Sequence, residues 1–190
     1  AQERIQSEVS GLANELESYL RERVGDLEIV AQQDIFTNPA LGTIATRTIK
    51  DRALNNFVSN NPDFESLVFL DPRGNVIAQS SGAKVGREAS EQSFQQASKR
   101  PVITQTRSPS GKADYSFDIL IPVKANAGEE LLGILRGRVL TKSLNAVLEP
   151  TTTRGQSHYY VFNENKIIAT NHNEDLGKTL EKEFPVLNSK

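Results

Sequence analysis

From residue 1 to about Phe36, apolar side chains return every three or four positions. Ile5, Val9, Leu12, Leu16, Leu20, Val24 and Leu27 form one stripe, with Glu, Gln, Arg and Asp between them, which is the period of an amphipathic helix. Successive steps of four after Leu12 depart from a strict heptad, and Gly11 and Gly25 each weaken the helix by roughly 1 kcal/mol against alanine. The stripe suits a helix packed on its own domain and equally a two-chain seam running on from a membrane helix. The stretch "TNPALGT", residues 37 to 43, predicts a break, because Asn, Pro and Gly are helix punctuators. A second helix is expected over "TRTIKDRALNNFVSNNPDF", with Ile49, Leu54, Phe57 and Val58 inward and an end at Asn61 and Pro62.

Beyond Pro62 the period falls to two. "SLVFLDPRGNVIAQS" predicts a hairpin with strands Leu67 to Leu70 and Asn75 to Gln79 around an Asp71-Pro72-Arg73-Gly74 turn, residue types suited to a tight reversal. A polar, glycine-bearing segment, "SGAKVGREASEQSFQQAS", follows, and a short helix is expected within "EASEQSFQQASKR". Three more strands are predicted in "PVITQTRS", "ADYSFDILIPVK" and "EELLGILRGRVLT", separated by "PSGK" and "ANAG". Five strands with helices before and among them make an α+β module.

The pattern then recurs. "SLVFLDPRGNVIAQSSGAKVG" ends at Gly86 and "SHYYVFNENKIIATNHNEDLG" ends at Gly177. With one residue deleted in the second turn, Leu70 aligns with Phe162, Val76 and Ile77 with Ile167 and Ile168, and Ala78 with Ala169. A duplicated unit is the reading this supports. Module one needs roughly 55 residues after Gly86 to finish its sheet, whereas 13 follow Gly177, so the second module is expected to be partial or reduced. The expected layout is 1–45 long helix and break, 46–150 first module, 151–190 second module.

Composition narrows the function classes. A net charge of −2 leaves no basic footprint for nucleic acid. The absence of cysteine removes disulfides, thiolate nucleophiles and cysteine-ligated zinc. No apolar run approaches the ~20 residues of a membrane span, and the first residue is Ala1, so a processed or excised fragment is expected. The two histidines, His158 and His172, lack the spacing of a helical metal pair. No Gly-x-Ser-x-Gly and no phosphate-binding loop occurs. Nothing assembles nucleophile, base and oxyanion donors, so no enzyme, no cofactor and no metal is expected.

A long helix, a shorter one, then "FESLVFLDPRGNVIAQSS", "VGREASEQSFQQA", "ILIPV" and "LLGILRGRVLTKSLNAVL" in that order resemble the double Cache extracellular sensor domains of bacterial chemoreceptors and sensor histidine kinases. The resemblance covers nearly the whole chain. It implies two PAS-like modules on one long helix, the first an antiparallel five-stranded sheet with a ligand pocket distal to the membrane. It also implies an extracytoplasmic, signal-input role, a homodimer through the N-terminal helix, and membrane helices flanking this segment. The alternative is a ligand-free interaction or dimerisation module.

Under this resemblance the segment before Ala97 becomes a lid. Amino-acid-binding members carry an Arg, an aromatic pair before an Ala, a Tyr and an Asp before a Thr-Gly turn, and an Asp in the last strand. Here those positions hold Glu91, Ser93 and Phe94, Ala97, Gln105, Arg107 and Arg138. The carboxylate clamp and the ammonium cage are both missing, and two carboxylates have become guanidinium groups able to grip an anion through paired hydrogen bonds. The expected ligand-binding set is Glu91, Phe94, Arg107, Tyr115, Phe117, Asp118 and Arg138, and the expected guest is a small organic anion such as a carboxylate. Two alternatives stay open: Glu91 neutralises Arg138 internally, or the arginines point to water.

Overall fold

The computed structural model of the 190-residue chain describes residues 2–83, 92–107, 115–148, 160–163 and 166–170. Its elements are α1 (Gln2–Ala31), α2 (Asp34–Thr37), α3 (Pro39–Ile44), α4 (Arg47–Asn60), β1 (Phe64–Leu70), β2 (Val76–Gln79), α5 (Gln92–Ala97), β3 (Val102–Arg107), β4 (Tyr115–Lys124), β5 (Leu131–Leu140), α6 (Thr141–Leu148), β6 (Tyr160–Asn163) and β7 (Lys166–Thr170). The architecture is α+β: a long N-terminal helix and a five-stranded sheet of order β2-β1-β5-β4-β3. The predicted strands are present in the predicted order.

Two details correct the sequence reading. The expected break at Asn38 is also a helix start, because the Asn38 side chain accepts hydrogen bonds from the backbone N–H groups of Ala40 and Leu41 and Pro39 occupies the first turn. On α4, Leu54 is fully buried but Ile49 is 47% exposed, so the inward face starts further along than the apolar spacing suggested.

The chain divides into two compact units. One comprises Glu22–Thr104 and Phe117–Val139 and holds most of the large sheet. β1 runs antiparallel to both β2 and β5. Phe64 pairs with Val139 but Ser66 pairs with Arg138, so a bulge at Glu65 turns Phe64 to the side opposite Ser66. The free edge of β2 is covered by α4, whose Asp51 and Asn55 side chains accept hydrogen bonds from the Gln79 and Ser81 N–H groups, each at 2.7 Å. Arg23 ties α1 to the root of β1 through Asp63, with Glu22 at 2.9 Å and Asp26 at 3.0 Å also on its guanidinium.

One face of this sheet packs on helices. A methyl at Gly137 would lie 2.6 Å from a Leu27 methyl of α1, and one at Gly133 would lie 2.2 Å from the Leu70 carbonyl oxygen. Glycine at both positions is therefore a condition of close approach. Phe36 meets Phe69 edge-on at 5.1 Å, and Phe57 of α4 meets Phe64 at 5.4 Å.

The other unit comprises Ala1–Arg21, Gln105–Ser116 and Leu140–Lys190. In it Leu144 and Leu148 of α6 are fully buried, and β6 and β7 form an antiparallel hairpin. Val161 pairs with Ala169 and Phe162 with Ile167, with a register shift between Val161 and Phe162. In the first hairpin Phe69 pairs with Ala78 and Leu70 with Val76, with the shift between Phe69 and Leu70. The two hairpins share pairing and bulge at the positions the sequence alignment equates.

Candidate functional site on the α5 face

Side chains alternate across a strand, so Leu70, Val68 and Ser66 share the sheet face opposite the helices. Their cross-strand partners on β5 are Ile134, Arg136 and Arg138 in that order. The face is divided along its strands. At one end Val68, Leu70, Leu120 and Ile134 form one buried hydrocarbon cluster with Phe94 and Ala97 of α5. At the other end the buried residues are polar: Ser66, Asp118, Arg136 and Arg138, each 2–3% exposed.

A guanidinium is kept in such a place only with hydrogen bonds around it. Arg138 Nε donates to Asp118 Oδ1 and a terminal nitrogen donates to Asp118 Oδ2, both at 2.8 Å. This two-pronged pair fixes the plane of both groups. The hydrogen bonds with Asp118 raise the pKa of Arg138 further, against the effect of burial. Arg136 behaves differently. Burial, and then repulsion from Arg138, push its pKa down to about 10, with Glu65 pulling it back up. Arg136 thus keeps its proton at neutral pH but is held in a setting that disfavours its charge.

The sequence-derived residues fall in distinct places. Asp118 and Arg138 meet, and Phe94 is buried on α5 against the same face. Phe117 is buried too, but it precedes Asp118 on β4 and alternation turns it to the helix side. Arg107 ends β3 and Tyr115 begins β4, both in the other unit. Glu91 and Gly86 lie outside the described residues, as do His158 and His172. The residue that sequence reasoning missed is Arg136. Its signal was present in "LLGILRGRVL": two arginines two apart on a strand share a face.

A concavity of about 220 Å³ opens elsewhere in the same unit, beside Gln32, Thr37, Pro101, Pro122 and Lys124. Its walls are largely proline and aliphatic carbon, and Glu129 holds Lys124. Among the described residues, no group of three His, Cys, Asp or Glu side chains could hold a metal ion. No helix there is long and apolar enough to cross a membrane.

The fold has solved counterparts. The chain is similar to the ligand-binding domain of the Pseudomonas aeruginosa PAO1 amino-acid chemoreceptor PctC in complex with GABA, at 18% identity and a TM-score of 0.67, over 96% of this chain and 82% of that one. It is similar to the ligand-binding domain of the Pseudomonas fluorescens chemoreceptor CtaA in complex with L-serine, at 17% identity and a TM-score of 0.64, over 98% and 81%. An extracellular ligand binding receptor from Desulfohalobium retbaense matches at 13% identity and a TM-score of 0.73, over all of this chain and 35% of that one. No family model and no curated protein matches the sequence. The chain therefore has the fold of chemoreceptor ligand-binding domains, in agreement with the double Cache resemblance.

Proposed function

We propose that this domain is the extracytoplasmic, non-enzymatic ligand-sensing input of a transmembrane receptor, a chemoreceptor or a sensor histidine kinase, and that it binds a small organic anion on the α5 face. The observation that carries the reading is the polar end of that face, where two guanidinium groups and a carboxylate are buried together beside a sheet otherwise packed with hydrocarbon. Solved domains of this fold carry amino-acid guests, whereas an α-ammonium group placed beside Arg136 and Arg138 would be repelled. In the receptor, α1 serves the homodimer seam, and the β6-β7 hairpin opens a second PAS-like module nearer the membrane. Membrane helices outside this sequence anchor the whole.

A ligand shifts such a receptor only through unequal affinity for two arrangements. The test is a thermal-shift panel of carboxylates, α-amino acids and amines against the wild type and the double variant Asp118→Asn/Arg138→Gln. Both charges of the buried pair are removed together because removing one strands the other. Carboxylates are expected to raise Tm of the wild type and not of the double variant. Stabilisation by amines, or equal stabilisation of both proteins, would refute the anion site. A second reading, a ligand-free interaction module, is favoured by the hydrocarbon packed between α5 and the sheet, and it predicts no response to any compound.

A further inference from the structure

We infer that the concavity between the end of α1 and the start of β3 is a contact surface for a second copy of this chain related by a two-fold axis. Ile29 of each copy meets the Pro101 and Pro122 walls of the other, and Glu28 faces Arg100. This rests on the homodimer in the reading above and adds to it the surface and the residues that make it.

The first ground is apolar surface left in water. Of the large hydrophobic side chains exposed among the described residues, Ile29 is 68% exposed and Ile103 41%. Both neighbour the concavity of about 220 Å³: Ile29 lies three residues before Gln32 at the end of α1, and Ile103 lies two after Pro101. Ala31, Pro101, Ile121 and Pro122 give that concavity apolar walls. Its volume falls below the ~300–1,000 Å³ of pockets that enclose a drug-sized ligand and leaves room for an aliphatic side chain. β3 is the terminal strand of the large sheet, at the edge opposite β2. Neither Pro101 nor Pro122 has an N–H to offer, so contact there is made by side chains and not by strand addition.

The second ground is the charge around the same place. Glu28 lines the concavity, and the exposed Lys99 and Arg100 immediately precede Pro101. The side chains of all three are outside every ion pair among the described residues, whereas Lys124, which also lines the concavity, is held by Glu129. A basic partner would be repelled by Lys99 and Arg100, and an acidic one by Glu28. A second copy meets each charge with its opposite, because a two-fold contact sets residue i on j and j on i. Arg100 is the better match for a carboxylate, since its planar fork offers two parallel hydrogen bonds. The same rotation brings Ile29, next to Glu28, onto the proline walls next to Arg100. All of these residues belong to one compact unit.

Sedimentation velocity on the chain tests this, at concentrations up to about 1 mM, the range that tethering in a receptor would supply. The wild type should show a reversible monomer–dimer equilibrium. Ile29→Asp should weaken it about tenfold or more, with Tm unchanged because the side chain is exposed. Glu28→Lys and Arg100→Glu should each weaken it about tenfold or more, since like charges then face each other. An equimolar mixture of these two variants should dimerise within about threefold of the wild type, because every facing charge in the mixed pair again meets its opposite. A wild type that stays monomeric at about 1 mM would overturn both the surface and the homodimer. A dimer indifferent to all three substitutions would overturn this surface and leave a seam elsewhere on α1 standing. A mixture no stronger than either variant alone would overturn the facing of Glu28 and Arg100.

Discussion

The two faces of the large sheet are buried alike and differ in what they bury. Toward the helices lie Leu67, Phe69, Leu135 and Val139, all buried and apolar, with Leu27 against Gly137. Toward α5 the same strands place Val68, Leu70 and Ile134, then Arg136 and Arg138. Apolar side chains of similar volume would stabilise such a face as well or better. The difference separates an apolar face from one that is polar at one end within a single strand, residue by alternate residue. β5 carries both: Leu135, Gly137 and Val139 on one side, Ile134, Arg136 and Arg138 on the other.

The largest effect is expected at the buried Arg138–Asp118 pair. Asp118→Ala leaves Arg138 buried without its forked partner and should cost about 3–5 kcal/mol, read by denaturant unfolding, whereas Asp118→Asn/Arg138→Gln should cost clearly less. Equal losses would mean that the pair is not a coupled unit. On the apolar face, Leu27→Ala should cost about 2–5 kcal/mol, because Leu27 is fully buried against Gly137, and should leave anion affinity unchanged.

The sharpest contrast comes next. Arg136→Met should flatten the part of the pH profile of stability that Arg136 contributes near pH 10, read by denaturant unfolding at a series of pH values. The sign follows from the lowered pKa. The folded state holds the proton less tightly than the unfolded chain, so the penalty is in full force below pH 10 and is relieved only above it. An unchanged profile in Arg136→Met would contradict this. The smallest effect belongs to α4, where Ile49→Ser should change stability by less than about 0.5 kcal/mol because the side chain is 47% exposed.

Much of this architecture is legible in the sequence because it depends on periods. The change from 3.6 to 2 after Pro62 marks the passage from α4 to β1, and Gly74, which adopts a positive φ of 85°, marks the first hairpin turn. The recurrence of the hairpin near residue 160 is visible from aligned apolar positions, and the shared bulge has the same origin. What the sequence leaves out is set by tertiary context. Ile49 and Leu54 are alike as letters, and only the line of α4 along β2 decides which is covered. Asn38 and Pro39 open a helix as readily as they close one.

The site was half legible, and for a related reason. A lone Asp118 in the apolar run "YSFDILIPVK" and an arginine in "LLGILRGRVL" invite a partnership, but the strand order that makes β4 and β5 neighbours turns the invitation into a pair. Arg136 aligns with none of the amino-acid-sensor positions, and only alternation along β5 puts it on one face with Arg138.

The most direct measurement is of the arginine Nε–H signals by ¹⁵N NMR while a small carboxylate is added to the domain. A signal of the buried arginines on the α5 face, Arg136 or Arg138, should move in a saturable way. A titration in which neither responds would contradict the account.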